Sequence, residues 1–427
     1  MKKLLLFTEE AFTVASLLLY SGGPLTVILS GGASEGDDSG ETNTSLILVL
    51  FFFNYLVTLF LLILRWKKVL QIMKKEKIIV LLVGVALFSF LWSSQPKKTI
   101  TRGIAIVGTS LFGLYFASRY TIKQQLKLLG WMYGIAVIFS FIFVAALPKY
   151  GIMGGVHAGK WRGIYNHKNT LGKVIVPGIA VFLLLASSSK KYSWLLWMCF
   201  SLAFILLLRS GSTTSLINGI CIIAACISFR VFRWRDDFMV PSTIAIGSFG
   251  AIFYVIISVT TEAILKALGK DPTLTGRGDM WPYIFEMIGY KPFLGYGYGA
   301  FWYGPDTPSF YIWQATGWTP PNSHNGFLDL WLQIGLIGLL IYIFGFLTIT
   351  LPKAFYWLRT TRTSEGFWPL TYMTYMLQAN ISETTLMIQN DLFWVIYVAI
   401  AFSVQMPPES HKSKYINELN TISSSYR

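Results

Sequence analysis

In 427 residues the chain carries 54% hydrophobic and 13% charged side chains, with a mean hydropathy of +0.55. Soluble domains are roughly a quarter charged, so a soluble fold is excluded. The net charge of +15 is a topology signal: no basic-aromatic soluble module accompanies it, and nucleic acid is not a partner that this sequence requires.

About twelve apolar runs follow in chain order, most reaching the roughly 20 residues that cross about 30 Å of hydrocarbon. They lie near residues 10–31, 45–64, 78–94, 102–118, 128–147, 171–188, 192–208, 212–229, 238–260, 326–350, 367–381 and 386–404. The predicted architecture is all-α, a polytopic membrane helix bundle of about twelve spans forming one integral membrane domain over residues 1–427, with a cytoplasmic tail over 405–427. Gly22, Gly23 and Pro24 interrupt the first run and predict a kink or a re-entrant turn there. That run lacks an A-x-A-like cleavage site and reads as the first span. Cys199, Cys221 and Cys226 fall inside predicted spans without metal-ligand spacing, which predicts thiols acting as small hydrophobes.

Placing the N-terminus in the cytoplasm puts 22 of the 35 basic residues inside, among them the six of the 65–77 connection, and leaves 13 outside. This agrees with the positive-inside rule. Two outside segments are much longer than ordinary connections, 148–173 and 261–325, and loops of that length in a compact domain are functional or disordered. Their Trp, Tyr and Gly content favours order and function.

The first loop holds Lys149, Lys160, Arg162, Lys168 and Lys173 with His157 and His167, and no acid. Such a cluster points to an anion. A phosphate gripped by a planar guanidinium is one reading, and non-specific contact with anionic lipid headgroups is the other.

The second loop predicts a short helix over GRGDMWPYIFEMIG, with Arg277 at its start and an apolar face suited to lying at the interface. KPFLGYGYGAFW follows, with glycines at alternate positions where backbone must turn or approach something closely. A GYG triplet outside a pore loop does not by itself make an ion filter. In PPNSHNGFLDLWLQIGLIG, Asn322 or Ser323 is the expected cap and His324 the first-turn residue of the tenth span. In one regular helix Gly335 and Gly338 fall about 20° and 40° from the direction of His324. All three would then share a face. An ordinary interfacial histidine bonded to backbone is the alternative for His324.

The strings KWRGIYNHKNTLG, GRGDMW with KPFLGYGYGAF, and SHNGFLDLWLQIGLIGLLIY together resemble the O-antigen ligase and polysaccharide polymerase superfamily. The resemblance covers about residues 155–345, and its most specific part is His324 and Asn325 followed by Gly335 and Gly338. It implies a GT-C type, metal-independent, inverting glycosyltransferase in the bacterial cytoplasmic membrane, without a cofactor and with its active site on the extracytoplasmic face. The implied donor is undecaprenyl-pyrophosphate-linked glycan. The acceptor is another glycan or a lipid core, and membrane lipids and other polysaccharide assembly proteins are the remaining expected partners. By position in the motifs, Arg162 and Arg277 hold the pyrophosphate and His324 assists the acceptor. Lys160, Lys168, Asn169, Asn325 and Asp329 are further substrate-binding candidates, with Asp329 also placed to orient His324.

The chemistry is consistent with these residue types. A neutral imidazole, with an ordinary pKa near 6.5, accepts the proton of an attacking sugar hydroxyl, and fixed cations stabilise a leaving pyrophosphate. Polymerisation of exopolysaccharide or O-antigen repeats is the expected function, ligation of glycan to lipid A core the alternative, and a polysaccharide transporter or flippase the alternative of another class. A transporter would place ionisable groups near the bilayer midplane, whereas these stand in loops and at span ends.

Overall fold

The computed structural model describes residues 2–33, 45–233, 238–239, 277–361 and 363–407. In order, the helices are α1 (Lys2–Tyr20), α2 (Leu25–Leu29), α3 (Ser45–Ile63), α4 (Trp66–Met73), α5 (Ile78–Phe88), α6 (Pro96–Arg119), α7 (Ile122–Ala146), α8 (Pro148–Gly151), α9 (Lys168–Ser188), α10 (Ser193–Ser210) and α11 (Thr213–Ser228). They continue with α12 (Arg277–Tyr290), α13 (Ser309–Thr316), α14 (Gly326–Phe344), α15 (Leu351–Thr360), α16 (Trp368–Ser382) and α17 (Leu392–Ser403). The protein is thus a polytopic, all-helical membrane bundle. Among the described residues, seven helical stretches are long and apolar enough to cross a membrane: Ser45–Ile63, Pro96–Arg119, Ile122–Ala146, Lys168–Ser188, Ser193–Ser210, Thr213–Arg233 and Gly326–Thr360. The expected run at 238–260, the first part of the 261–325 loop and the tail beyond 407 lie outside the described residues, apart from 238–239.

Helix starts follow local chemistry. Thr121 and Gln124 form a reciprocal capping box at α7, and the side chains of His167, Asn325 and Asp391 accept backbone N–H groups at the starts of α9, α14 and α17. Each satisfies donors that a first turn otherwise leaves open. The break expected at Gly22 to Pro24 separates α1 from α2. The last run begins later than expected: residues 386–391 form a loop rather than helix, buried at Leu386 and Met387 and half-buried beyond, with Met387 and Asn390 at positive φ. Tertiary bonds hold it there, from Tyr298 Oη to the Met387 carbonyl (2.5 Å) and from the Asn390 amide to Thr109 Oγ1 (2.9 Å).

Every residue of α17 is buried, as an apolar helix without a polar face must be. It packs on α6, while α9 is enclosed by α7, α10, α11 and α16. Several polar side chains in this core bond one another: Trp394 Nε1 donates to Ser110 Oγ (2.9 Å), Gln125 Nε2 to Ser403 Oγ (2.8 Å) and Tyr20 Oη to Asn54 Oδ1 (2.9 Å). In hydrocarbon each such group left unbonded costs several kcal/mol. Of the cysteines, Cys226 is buried, Cys199 half-buried and Cys221 exposed on the bundle surface.

The second long loop folds back onto protein. Met280, Ile284, Met287 and Ile288 of α12 pack with Tyr296, Phe301, Ile312, Leu328 and Leu332 into a small core of their own. The apolar face expected to lie in the interface therefore covers the top of α14 instead, and Phe285 alone of the expected set is strongly exposed.

Candidate functional site

Both long loops gather at one end of the bundle. The α6 start joins the second loop there through Ser94, whose amide donates to the Tyr296 carbonyl (2.9 Å), and Gln95, whose Nε2 donates to the Asp306 carbonyl (3.0 Å). The other end of α6 carries Arg119.

His324 does not stand in the first turn of the tenth span. The cap is Asn325, whose Oδ1 accepts from the Phe327 and Leu328 amides (3.0 and 3.1 Å), so α14 starts one residue after it. His324 precedes the cap in a left-handed conformation, φ +52°, with its amide bonded to Asn322 Oδ1 (2.9 Å) and its ring stacked near Trp318, centroids 6.3 Å apart. The change moves the imidazole off the helix and onto a tight turn. Asn325, expected to touch substrate, spends its side chain on the cap and on the Ile381 carbonyl of α16 (Nδ2, 3.3 Å).

That turn is held by Asp329. The carboxylate is buried and accepts from the Ser323 amide (3.1 Å), Trp302 Nε1 (2.7 Å) and Thr384 Oγ1 (2.5 Å). Trp281 of α12 adds a bond from Nε1 to the Ser323 carbonyl (3.0 Å). Asp329 thus orients the backbone that carries His324, rather than the imidazole, and three loop segments converge on one buried anion. The sequence reading missed Trp302, Trp318 and Thr384, and placed Trp281 only on the apolar face of the short helix. For the indoles the signal there was only a general richness in tryptophan, and Thr384 had none.

The shared helix face of His324, Gly335 and Gly338 is also replaced. α14 breaks at Ile334 and Gly335, the latter at φ +72° and ψ −176°. The 291–297 segment pairs with the opened backbone: the Leu336 amide donates to the Pro292 carbonyl (2.8 Å), the Tyr296 amide to Leu332 (2.8 Å) and the Gly297 amide to Gln333 (2.9 Å). A Cβ at Gly335 would stand 2.0 Å from the Phe293 carbonyl oxygen, and one at Gly295 2.6 Å from that of Leu332. Two of the glycines in the sequence motifs are thus each other's docking surfaces.

In the first loop, Arg162 is fully buried. Its Nε donates to the Tyr150 carbonyl (2.9 Å), Nη1 to Ala33 (2.8 Å) and Asn166 (3.4 Å), and Nη2 to Gly32 (2.5 Å) and Lys149 (2.8 Å). A guanidinium has five N–H donors, and among the described residues five backbone carbonyls accept from this one. The open fork expected to grip a phosphate is instead the knot joining three stretches of loop. The side chain of Arg277, at the start of α12, lies outside the described residues, and with it the expected convergence of the two arginines.

Lys160 is exposed, and Lys168 and Asn169 are half-buried in the first turn of α9. His167 Nδ1 accepts from the Asn169 amide (3.1 Å), which requires that nitrogen unprotonated, and its ring meets that of His157 edge to face. The stem of Lys160 covers Gly211, beside Arg209, whose guanidinium lies 4.9 Å from the Trp161 ring centroid. Lys98 and Arg102 of α6 stand 3.5 and 5.2 Å from the Tyr303 ring centroid, and the hydrogen bond from Lys98 holds that phenol below its ordinary pKa. Arg102, Lys98 and Arg209 were visible in the sequence as outside basic residues at span ends, without a motif to mark them.

The His324 turn and the α9 start lean on one helix, α16. Asn325 bonds Ile381, and Tyr375 Oη donates to the Lys173 carbonyl (2.8 Å), attachments about 9 Å apart along the α16 axis. The structure therefore brings the histidine turn and the lysines of the first loop to one end, on one support.

A family model described as O-Antigen ligase matches residues 198–343, which include the His324 turn and the glycines that dock it. The chain is similar to the "Exopolysaccharide production protein ExoQ" of Rhizobium meliloti, 28% identical over 290 residues, 64% of this chain and 62% of that protein. It is also similar to a "Putative polysaccharide ligase" of Rickettsia felis, 27% identical over 180 residues, 40% of this chain and 42% of that protein. It thus spans less than two thirds of the length of these curated relatives. The resemblance read from the motifs, to an O-antigen ligase and polysaccharide polymerase superfamily, is supported by all three matches.

Proposed function

Taking that resemblance as premise, we propose that this protein acts in surface polysaccharide synthesis, transferring undecaprenyl-pyrophosphate-linked oligosaccharide at the end of the bundle that carries His324. Polymerisation of repeat units comes first, because the more extensive of the two matches is to an exopolysaccharide production protein. Ligation to a lipid core is the second reading, favoured by the family description and by the match to a polysaccharide ligase.

The observation that carries the proposal is the His324 turn, a histidine held in a left-handed conformation by a buried carboxylate, two indoles and a threonine. Such rigidity suits a group that must meet a reacting atom. His324 takes the proton from the acceptor hydroxyl as its oxygen attacks the anomeric carbon from the face opposite the pyrophosphate, inverting that centre as the bond to phosphate breaks. Cationic side chains meet the leaving anion without a metal: Arg277, Lys160 and Lys168, with Asn169 beside them. Arg162 acts one step back, shaping the loop that presents the lysines, and Asn325 and Asp329 position His324.

The test is incubation of the purified protein with lipid-linked oligosaccharide, alone and with lipid core. A ladder of glycan lengths identifies a polymerase and a single adduct on the core identifies a ligase. Translocation of the intact lipid-linked glycan, with neither product formed, would replace this reading by transport.

A further inference from the structure

The opposite end of the bundle holds a cavity of about 700 Å³ lined in part by Arg65, Trp66, Lys67, Lys68, Ser118 and Arg119. We propose that it is a binding site for a phosphate ester anion, separate from the His324 end and independent of the transfer reaction.

Three features make it more than a basic surface. First, its two arginines, one in the turn between α3 and α4 and one at the end of α6, are fixed by one acid of α1. Glu9 of α1 accepts from Arg65 Nη2 (2.7 Å) and from Arg119 Nε (3.0 Å), and Arg65 Nη1 also donates to the Leu61 carbonyl (3.1 Å). The guanidinium groups are therefore positioned before any ligand arrives, which removes part of the ordering cost of binding. Second, Arg65, Lys67 and Arg119 line the cavity and Glu9 offsets one of these three charges; a phosphate supplies the oxygen pairs that guanidinium forks match. Third, the residues around the site have the pattern of an interfacial segment. Trp66 is more than half exposed beside exposed Leu64 and Leu70, while Val69 and Ile72 of the same short helix are buried. This is the placement of an interfacial helix with an indole anchor.

The positive-inside rule explains the sign of this charge but neither the concavity nor the Glu9 anchor. Lys74 and Lys75, at the end of the same connection, are exposed and outside the cavity lining, and they provide the internal control. The ligand chemistry is a phosphate monoester or diester, from a membrane phospholipid headgroup or from a soluble phosphate.

The experiment uses the full chain reconstituted in vesicles of mixed phosphatidylglycerol and phosphatidylcholine. Phosphatidylglycerol retained through extraction and purification is counted per protein by mass spectrometry, with and without inorganic phosphate. The wild type should retain phosphatidylglycerol over phosphatidylcholine. The double variant Lys67→Gln/Lys68→Gln should retain roughly 25-fold less, about a factor of five for each lysine near a membrane surface. Lys74→Gln/Lys75→Gln should match the wild type. Retention that resists inorganic phosphate identifies the lipid headgroup as the source, and retention displaced by it identifies a site open to soluble phosphates. Lys67 and Lys68 are exposed, so the variants should melt as the wild type does. Equal losses in both double variants, or no preference for phosphatidylglycerol, would overturn the proposal.

Discussion

The two long loops are organised around buried charges of opposite sign, used in opposite ways. In 148–173, the Arg162 guanidinium donates to five backbone carbonyls and draws three stretches of loop together. Where the second loop enters α14, the Asp329 carboxylate in the first turn of that helix accepts from a backbone amide, an indole and a hydroxyl. A cation gathers carbonyls and an anion gathers N–H and O–H groups, so each loop is shaped by whichever of its own groups would otherwise be left unsatisfied. The difference lies in what is presented. The Arg162 knot leaves lysines at its edge, and the Asp329 clamp leaves one imidazole on a turn.

The sharpest way to break this comparison is His324→Ala. If the clamp exists to present the imidazole, turnover per folded molecule should fall on the order of 10² to 10⁴-fold, with the melting temperature unchanged. Near-normal turnover in both His324→Ala and His324→Gln would remove the residue from the mechanism.

Arg162→Ala should act through the fold instead. Five carbonyls lose their donor in a buried place, and the expected cost is on the order of 3 kcal/mol or more, read as a large drop in melting temperature and in yield. Arg162→Lys keeps the charge but cannot reach all five acceptors, so it should recover part of the stability. An Arg162→Ala protein that melts normally and fails only in transfer would mean that the guanidinium meets the pyrophosphate directly.

Asp329→Ala should cost about 1 to 3 kcal/mol and lower turnover as well, because the turn loosens. Asp329→Asn should fare better: its carbonyl can keep the Ser323 and Trp302 donors while its amide turns to the Thr384 hydroxyl, which can also accept. Equal loss in the two variants would argue that charge, not acceptor geometry, matters at this position. The smallest effect is expected for Thr384→Val, about 1 kcal/mol, with a partial loss of turnover measured on the same substrate.

Much of this was legible in the sequence. The helix starts near 168, 193, 213 and 326 agree with the apolar runs because hydrocarbon length and the need to bond every backbone group leave few alternatives. The break at Gly22 to Pro24 was visible for the same local reason. The motif residues His324, Asn325, Gly335 and Gly338 were all found, but their roles were assigned from an ideal helix. The break at Gly335 is stabilised by Pro292, Phe293 and Tyr296, some forty residues earlier, and no periodicity within 326–350 records that contact.

What the amino-acid order determined alone is the solvent of this protein, its helical class, the spacing of its spans and the set of groups able to do chemistry. Those follow from local hydropathy, from caps and from residue type. Only the tertiary structure decided which charged groups face outward. Arg162 and Asp329 look in sequence like ligands for a substrate, but both turn inward, since a buried loop must bond its own carbonyls and amides and the nearest ionised side chain does so most strongly. His324 was left on the turn that this inward bonding holds still.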